Sequence, residues 1–308
     1  MSAPLPHAAA WRDVDGIVLL DKPEGISSNA ALQRVRRAFR ARKAGHTGSL
    51  DPLASGMLPV CLGQATKASG MLLDADKSYR FRLALGRSTS TGDREGETVE
   101  TVPVPALDET SVGAVAAAFV GDSTQVPPMY SALKHDGRRL YRLARAGIEV
   151  VRPARPVRID RLACAATGPD WIDFEVACSK GTYVRSLAED IARALGTVGH
   201  VASLRRMGLG PFKDARTWTL EEIEGAAEDP VRLNAMLLPV DEALPGLPAV
   251  QLGDAEQAWI LQGRPVAAVG PGASRVRIYG VDGRFLGVGR MSAEGARLAP
   301  ERIMVELP

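Results

Sequence analysis

Residues 45–63 read GHTGSLDPLASGMLPVCLG, and this stretch, with four glycines and two prolines, decides how the rest of the chain is interpreted. Glycine and proline at this density predict a tightly turned loop instead of a regular helix or strand. Asp51 lies between Leu50 and Pro52, and the proline ring biases the aspartate toward an extended backbone. These residues alone favour Asp51 as the N-cap of a short helix beginning at Pro52, which requires no chemistry.

The size and composition of the chain are those of an ordinary globular protein. Its 308 residues, 45% of them hydrophobic and 24% charged, suffice for one large domain and a small one. Three cysteines without a Cys-x-x-Cys pair indicate neither a disulfide framework nor a zinc site. The four histidines are scattered and form no His-x-x-x-His pair, so the sequence predicts no metal site.

The sequence gives no sign of a membrane or secreted protein. No apolar run approaches the roughly 20 residues needed to span a bilayer, and the N-terminus lacks a signal-peptide pattern. We therefore expect a cytoplasmic protein with no membrane partner. Residues 1–14, rich in alanine and proline without periodicity, are predicted to form a poorly ordered tail. A net charge of +2 does not by itself indicate a nucleic-acid partner.

The segment before the glycine-rich stretch predicts a strand, a turn and a basic helix. The apolar run at 16–20 is typical of a buried strand, and Ser27 and Ser28 after the turn are good N-cap residues. The helix that follows has Leu32, Val35 and Phe39 on one face. Six cations and no acid lie within residues 34–43, which favours contact with RNA phosphates over a merely solvated face.

The middle of the chain alternates predicted helices, strands and loops. Residues 64–73 predict a short helix, 77–86 a half-buried strand, 88–100 a loop rich in Ser, Thr, Gly and Asp, and 111–119 a helix. Tyr79 shares a strand face with Phe81, Leu83 and Leu85. Such a tyrosine is by default a core-edge residue with a solvated hydroxyl.

A basic segment follows at 127–147, where an Asp-Gly turn separates an apolar arm from a basic amphipathic helix. Eight Lys or Arg residues and only two acids lie between Lys134 and Arg158. Tyr130 and Tyr141 are interleaved with these cations, a pattern typical of contact with an RNA backbone.

The next predicted elements are a strand at 171–179, a turn at 180–183 and a helix from Val184 that ends at Gly196. Arg185 lies in the first turn of this helix, off its apolar stripe, where a cation opposes the helix dipole. The residues leave two interpretations open: Arg185 has an anionic partner, or it is simply exposed. Farther on, 221–229 predicts an acidic helix facing away from RNA, 239–248 a linker, and 249–308 a small β-rich domain.

Several of these stretches together resemble one enzyme family, the TruB family of pseudouridine synthases, which are bacterial tRNA pseudouridine-55 synthases. The similar stretches are KPEGIS at 22–27, GHTGSLDPLASG at 45–56, KSY at 77–79, CSKGTYVRSL at 178–187 and LRR at 204–206. They occur in the family's order, and the resemblance covers roughly residues 15–240. The glycine-rich run with its Leu-Asp-Pro centre is the most specific of them.

The resemblance implies a role for each matching residue. Asp51 is the catalytic aspartate, and Arg185 pairs with it. The residues that bind the substrate are implied to be His46 against the flipped nucleotide, Tyr79 stacked on the base, and Tyr183 and Leu204 in the uracil pocket. The residues that support the active-site loop are implied to be Lys22, Gly45, Gly48 and Pro52.

The resemblance also implies the fold and the domains. We expect an α+β catalytic domain at 15–240, built on a mixed, mostly antiparallel sheet flanked by helices, with an RNA-gripping insertion at about 125–155. A small β-rich, PUA-like RNA-binding domain is expected at 246–308. The implied activity is the conversion of uridine-55 in the T-arm of tRNA to pseudouridine, by a monomer without cofactor, metal or obligatory protein partner.

Two other functions fit parts of the sequence. A non-catalytic tRNA-binding or tRNA-folding protein would use the same basic and aromatic residues but would not need Asp51. A guide-RNA-dependent pseudouridine synthase would share the aspartate loop, although the basic segment and the LPVCLG run at 58–63 resemble the stand-alone bacterial type. A glycosidase is disfavoured because these motifs supply no second carboxylate. The chemical role of the aspartate, as attacker of the sugar, attacker of the base or acceptor of a ribose proton, stays open.

Overall fold

The computed structural model describes residues 10–131 and 133–306. Its helices are α1 (Ser28–Ala38), α2 (Ser69–Leu73), α3 (Glu109–Ala118), α4 (Leu140–Arg145), α5 (Val184–Ala194), α6 (Leu220–Gly225), α7 (Pro230–Asn234) and α8 (Asp254–Leu261), with 3-10 helices at Gly63–Lys67 and Val240–Ala243. Its strands are β1 (Gly16–Lys22), β2 (Ala44–His46), β3 (Ala54–Leu62), β4 (Lys77–Leu85), β5 (Arg87–Thr89), β6 (Thr98–Thr101), β7 (Gly121–Gln125), β8 (Lys134–His135), β9 (Arg138–Arg139), β10 (Arg155–Thr167), β11 (Trp171–Cys178), β12 (Gly199–Leu209), β13 (Ala249–Gln251), β14 (Val266–Ala267), β15 (Arg275–Tyr279), β16 (Phe285–Met291) and β17 (Arg297–Ile303).

The chain divides into two compact units. The first unit comprises Met1–Asp51, Met57–Asp74 and Gly210–Pro308, and the second comprises Pro52–Gly56 and Ala75–Leu209. The domain boundaries predicted at 15–240 and 246–308 stay a prediction. The predicted fold class is confirmed: helices and mixed sheets occur together, and a β domain ends the chain.

The glycine-rich stretch is mostly strand, and the prediction of an irregular loop was wrong over much of its length. In the first unit, β2 pairs with the second half of β3, with Ala44 opposite Leu62 and His46 opposite Val60. The N–H of Thr47 donates to the Pro59 carbonyl at 3.1 Å, which extends the pairing by one bond. Residues 47–53 lie outside these strands, and Gly63 begins the 3-10 helix that follows them. Proline does not break β3 at position 59 because its carbonyl, and not its missing N–H, makes the cross-strand bond.

The interpretation of Asp51 as the cap of a short helix was also wrong. Residues 52 and 53 form a turn that leads directly into β3 at Ala54. Leu53, Ala54 and the apolar residues of β3 are buried, so the chain gains more by continuing as a buried strand than by starting a helix.

Helix α1 is formed as its sequence predicts. Ser27 is the N-cap, and its hydroxyl accepts a hydrogen bond from the Ala30 N–H at 3.1 Å. Leu32, Val35 and Phe39 are buried on one face.

The prediction of a poorly ordered tail at residues 1–14 was wrong for its last residues. Residues 1–9 lie outside the described residues, whereas Arg12 exchanges backbone hydrogen bonds with Arg40 and Arg42, at 2.6 and 3.0 Å. Val14 is buried, and the Arg36 guanidinium lies 4.6 Å from the ring centroid of Trp11. The sequence did not predict this contact, because one isolated β-bridge, between Arg12 and Ala41, requires no repeating pattern of residues.

The second unit contains a mixed sheet in the order β3-β12-β4-β11-β10-β7, to which β3 contributes its first residues. The pairing of β12 with β3 is parallel, and the other pairings are antiparallel. Strand β11 alternates between buried and half-buried residues as predicted, and Phe174 stacks on Phe81 of β4 at 5.4 Å. Helices α3 and α5 pack against β10 and β12, respectively. Burial of these apolar faces is the main stabilising term for this unit.

Two segments of the second unit contain hairpins. The loop predicted at 88–100 includes the short pair β5 and β6, which the Ser- and Gly-rich composition concealed. In the basic segment, β8 and β9 are joined by Asp136 and Gly137, both at positive φ (47° and 76°), before α4 begins. The Asp-Gly turn is therefore confirmed, since two left-handed residues form a type I′ turn.

The end of the chain folds as a five-stranded sheet in the order β13-β15-β16-β17-β14. Its core includes Ile260 of α8 and Ile278 of β15, both fully buried. The linker predicted at 239–248 contains the 3-10 helix Val240–Ala243, and Asp241 within it accepts a hydrogen bond from the Tyr279 hydroxyl at 2.7 Å. The three prolines of this segment suggested an extended linker, but Ala243 and Leu244 are buried and order it.

Among the described residues, no helix is both long and apolar enough to cross a membrane. The same residues contain no group of three or more His, Cys, Asp or Glu side chains that could hold a metal ion. The three cysteines are free, and Cys61 and Cys178 are buried.

Candidate active site

The loop that carries Asp51 is held by a buried serine. The Ser28 hydroxyl, in the first turn of α1, donates to the Leu50 carbonyl at 3.0 Å and accepts from the Leu50 N–H at 2.8 Å. Ser28 and Leu50 are 4% and 6% exposed, so these bonds are shielded from water. Both backbone polar groups of Leu50, the residue directly before Asp51, are thus hydrogen-bonded to one side chain. Asp51 itself is half-buried.

Lys22 organises the turn between β1 and α1. Its side chain is fully buried, and its ammonium donates to the carbonyls of Pro23 and Ile26, both at 2.8 Å. These bonds shape the loop that delivers Ser27 and Ser28 to the start of α1. The supporting role predicted for Lys22 has this contact as its geometric basis, and the role stays a proposal.

The glycines around Asp51 differ in how strictly the backbone requires them. Gly48 has φ of 73°, and Gly56 has φ of 99° with the Arg206 backbone where a Cβ would lie. Gly45 has ordinary φ, and the nearest atom to an added Cβ is the Thr66 methyl at 3.9 Å. The sequence motif treats these three glycines alike, but sterics require Gly48 and Gly56 and not Gly45.

Two other predicted residues lie in the same stretch. His46 is half-buried at the end of β2, opposite Val60. Pro52 is exposed directly after Asp51. The first unit therefore brings Lys22, Gly45, His46, Gly48 and Asp51 onto neighbouring segments.

In the second unit, Tyr79 and Leu204 lie on adjacent strands. Tyr79 of β4 is opposite Arg206 of β12, and Leu204 is opposite Phe81. Leu204 also pairs with Ala54 of β3. Leu204 is buried, whereas Tyr79 is half-buried. One sheet thus positions two of the three residues that the resemblance assigns to the base.

Tyr183 and Arg185 lie at the start of α5. Tyr183 is the N-cap of this helix and is half-buried. Arg185 is only 6% exposed, so the interpretation of an exposed arginine was wrong. Its guanidinium donates to the Thr91 carbonyl at 2.8 Å and the Tyr130 carbonyl at 2.7 Å. The helix dipole does not expel this cation because these carbonyls and a carboxylate surround it.

That carboxylate is Asp93, which the sequence analysis missed. Its Oδ2 lies 3.4 Å from Nη1 of Arg185, and both side chains are nearly inaccessible to solvent. Asp93 is oriented by the Thr91 hydroxyl at 2.6 Å and the Glu95 N–H at 3.1 Å. Its signal in the sequence was weak, because Asp93 lies in a loop where aspartate is common. The predicted pairing of Arg185 with Asp51 joins residues of the two units and stays a prediction.

A cleft of about 590 Å³ opens beside Arg185. Glu189, one helical turn after Arg185, lies in its wall, and partial burial raises the pKa of the Glu189 carboxyl. Gln125 lies in the same wall, and it too was missed by the sequence analysis.

The basic surface expected along α1 is partly neutralised. Arg34 forms a bidentate pair with Glu224 of α6 at 2.5–2.6 Å, and Arg40 lies 3.1 Å from Glu228. The Arg34 hydrogen bonds lower the pKa of Glu224. Two of the cations that were expected to bind RNA thus pair with acids of the segment 221–229, and the expectation that this segment faces away from RNA stays a prediction. Spacing could not reveal this because the pairs join residues about 190 positions apart.

The basic hairpin and α4 differ from α1. Arg138, Arg139, Arg142 and Arg145 are exposed, and none of them has an acidic partner within residues 10–131 and 133–306. Arg145 lies 5.8 Å from the ring centroid of Tyr141. The segment from Arg138 to Arg145 therefore presents four exposed cations that are available to a polyanion.

Comparison with known proteins assigns the chain to a family. Residues 36–184 match the family described as TruB family pseudouridylate synthase (N terminal domain). Residues 185–245 match the tRNA pseudouridylate synthase B C-terminal domain, and residues 248–304 match Pseudouridine synthase II TruB, C-terminal. The chain belongs to the TruB family of pseudouridylate synthases. The family resemblance read from the motifs is confirmed.

Curated members of the TruB family match nearly the whole chain. A protein named tRNA pseudouridine synthase B from Hydrogenovibrio crunogenus is 49% identical over 293 residues, which cover 95% of each chain. Proteins of the same name from Nitrosococcus oceani and Stutzerimonas stutzeri are 50% and 51% identical, covering 95% of this chain and 96% of theirs.

Solved structures agree on the TruB fold. A chain in the crystal structure of a Cbf5-Nop10-Gar1 complex superimposes with a TM-score of 0.72 at 25% identity, covering 94% of this chain and 85% of that one. A chain in the structure of an H/ACA RNP bound to a substrate RNA containing 2′-deoxyuridine has a TM-score of 0.71 at 23% identity, with the same coverage. The latter likeness concerns the fold alone.

Proposed function

We propose that this chain is a tRNA pseudouridine synthase that isomerises uridine-55 in the T-arm of tRNA to pseudouridine, with Asp51 as its catalytic carboxylate. The observation that carries the proposal is the Asp51 loop, fixed by Ser28, in a chain about half identical to curated proteins named tRNA pseudouridine synthase B.

The reaction conserves atoms and has no redox change. The bond from ribose C1′ to uracil N1 breaks, the base turns, and a bond from C1′ to C5 forms. C5 loses a proton, and N1 gains one. A carboxylate that acts as a nucleophile can divide this exchange into two easier steps. The chemistry as written requires no cofactor or metal.

Each remaining site residue has a proposed task. Arg185 orients and keeps ionised the Asp51 carboxylate, since a neighbouring cation favours the charged form. The base must leave its stack, which costs a few kcal/mol, and the flat ring of Tyr79 replaces the lost stacking. Tyr183 and Leu204 line the pocket for the uracil, and His46 contacts the flipped nucleotide. Lys22, Gly45, Gly48 and Pro52 support the loop.

Substrate capture is assigned to the exposed cations from Arg138 to Arg145. They supply the sequence-independent attraction to phosphates that dominates affinity for nucleic acids. We further propose that the protein acts as a monomer in the cytoplasm, without a guide RNA or a protein partner. The chain is roughly 50% identical to proteins named tRNA pseudouridine synthase B, but only 25% identical to the chain from the Cbf5-Nop10-Gar1 complex. This difference favours action without a guide RNA.

The test is release of tritium from a tRNA transcript labelled at uracil C5, using purified protein alone and its Asp51→Asn variant. We expect release by the wild type and none by the variant, with equal tRNA binding by both. Binding without release by the wild type would favour a non-catalytic or guide-dependent role. Release by Asp51→Asn at the wild-type rate would remove Asp51 from the chemistry.

A further inference from the structure

The N-terminus of α5 lacks the usual cap. Its N-cap residue is Tyr183, which supplies no capping side chain, and no acid lies in the first turn. The Thr182 hydroxyl, one residue earlier, donates instead to the Ser179 carbonyl at 3.0 Å. Exposed backbone groups at a helix start normally require such a partner.

Gln125, the last residue of β7, makes two hydrogen bonds to the backbone of Tyr183 at this terminus. The carboxamide oxygen of Gln125 accepts from the Tyr183 N–H at 2.9 Å, and its amide nitrogen donates to the Tyr183 carbonyl at 3.5 Å. That carbonyl also accepts the first helical hydrogen bond, from the Leu187 N–H at 3.0 Å. Gln125 is 7% exposed and its bond to the Tyr183 N–H is partly buried, so losing the carboxamide would remove the partner of a partly shielded N–H.

Gln125 is itself held in place by the sheet. It is the last residue of β7 and lies opposite Arg155 of β10. The chain leaves β7 directly after it and enters the basic segment, where the Tyr130 carbonyl accepts from Arg185 at 2.7 Å. Two links therefore join the start of this segment to the first turn of α5, one at each end of residues 125–130.

We propose that Gln125 is a positioning residue for pseudouridine formation. Its carboxamide sets the backbone direction at Tyr183, and thereby aims the Tyr183 and Arg185 side chains, without touching the substrate. Because Gln125 also begins the RNA-gripping segment, it ties the placement of these two side chains to that segment. This inference rests on the proposed function, in which Tyr183 and Arg185 belong to the site.

The kinetic test compares the wild type, two variants of Gln125 and one control variant at saturating tRNA. Gln125→Met keeps the length of the side chain but loses both hydrogen bonds. We expect its single-turnover rate constant to fall about tenfold or more, because a displacement of about 1 Å is costly to catalysis. Its Kd for tRNA should stay within about twofold of the wild type. Gln125→Glu can still accept from the Tyr183 N–H, and its rate constant should lie between those of the wild type and Gln125→Met.

The matched control is Gln251→Met, because the Gln251 side chain also donates to a backbone carbonyl, that of Gly280 in the C-terminal sheet. We expect it to keep the wild-type rate at saturating tRNA even where its stability or its affinity for tRNA falls. A wild-type rate for Gln125→Met would overturn the proposal. So would a rate loss fully explained by weaker tRNA binding, or an equal rate loss in Gln251→Met.

A second measurement does not depend on the variants. Hydrogen exchange of the wild-type protein reports on the Tyr183 amide directly. We expect this amide to be protected, and exchange at the rate of an open peptide would overturn the proposal even if Gln125→Met failed to fold. An inactive wild type with a protected amide would instead refute the proposed function, while supporting the hydrogen bond between Gln125 and Tyr183.

Discussion

The hydroxyl of Ser28 satisfies both backbone polar groups of Leu50, at 2.8 and 3.0 Å, in a place that water does not reach. One small side chain thereby fixes the backbone next to Asp51. The neighbouring serine, Ser27, has a different task as the N-cap of α1.

These two serines make a matched pair of variants. We expect Ser28→Ala to reduce the free energy of unfolding by about 2 kcal/mol, because two buried backbone groups lose their partner. Ser27→Ala should cost about 1 kcal/mol, as usual for an N-cap. Tritium release should be impaired much more by Ser28→Ala. Urea unfolding and the single-turnover rate measure both quantities, and equal activity of the two variants would contradict the positioning of Asp51 by Ser28.

Alanine should destabilise the protein much more at Gly56 than at Gly45. Gly56→Ala places a Cβ against the Arg206 backbone at positive φ, so we expect a loss of about 3 kcal/mol or more from strain and broken pairing. Gly45→Ala meets only an ordinary contact and should change stability by less than about 1 kcal/mol. Thermal unfolding tests this, and a severe loss in Gly45→Ala would contradict the sterics.

Asp93 is predicted to stabilise the buried Arg185. Asp93→Asn removes the negative charge from a buried pair, and we expect a loss of about 3 kcal/mol together with a lower rate at saturating tRNA. Glu95→Gln changes an exposed carboxylate two residues away and should cost less than about 0.5 kcal/mol. Denaturant unfolding and single-turnover kinetics compare the two. An unchanged rate in Asp93→Asn would exclude a role for this carboxylate in the site.

The motifs predicted where the elements lie better than they predicted what the charges do. The strand at 171–179, helix α5 and the Asp-Gly turn followed from short-range patterns, because spacing and turn residues act locally. Residues far apart in the chain form the cation pairs of α1, the ion pair of Asp93 with Arg185 and the hydrogen bond of Gln125 to Tyr183. No local pattern encodes such contacts, so they became visible only in the fold. The strand β3 was mistaken for loop because its glycine and proline lie where the pairing tolerates them.

Salt dependence should distinguish the two basic regions. The double variant Arg138→Ala, Arg139→Ala removes exposed cations without acidic partners among the described residues. It should weaken tRNA binding and lower the slope of log K against log salt by about 0.7 for each lost phosphate contact. The matched double variant Arg34→Ala, Arg40→Ala removes paired cations and should leave the slope unchanged. Binding measured over a range of salt concentrations tests this, and equal slopes for the two variants would refute it.

Tyr279 should make stability depend on alkaline pH. Burial, followed by the hydrogen bond to Asp241, raises the pKa of the Tyr279 phenol to about 12. An unfolded tyrosine has a pKa near about 10, so this contribution is complete below pH ~10 and disappears as pH rises toward 12. Between pH ~8 and pH ~11, the wild type should lose about 1 kcal/mol more than Tyr279→Phe, as measured by urea unfolding. Parallel losses in the two proteins would contradict this assignment.

The pairing of Arg34 with Glu224 and Arg40 with Glu228 also concerns how fast an RNA is found. Paired charges present a dipole whose attraction falls off within a few ångströms, whereas the cations from Arg138 to Arg145 act out to the Debye length of about 8 Å. Under the proposed function, the segment from Arg138 to Arg145 therefore governs the diffusional encounter, and the net charge of +2 understates this local attraction. The cations of one short segment, from Arg138 to Arg145, thus act at long range, whereas Arg34 and Arg40 act mainly within their own ion pairs.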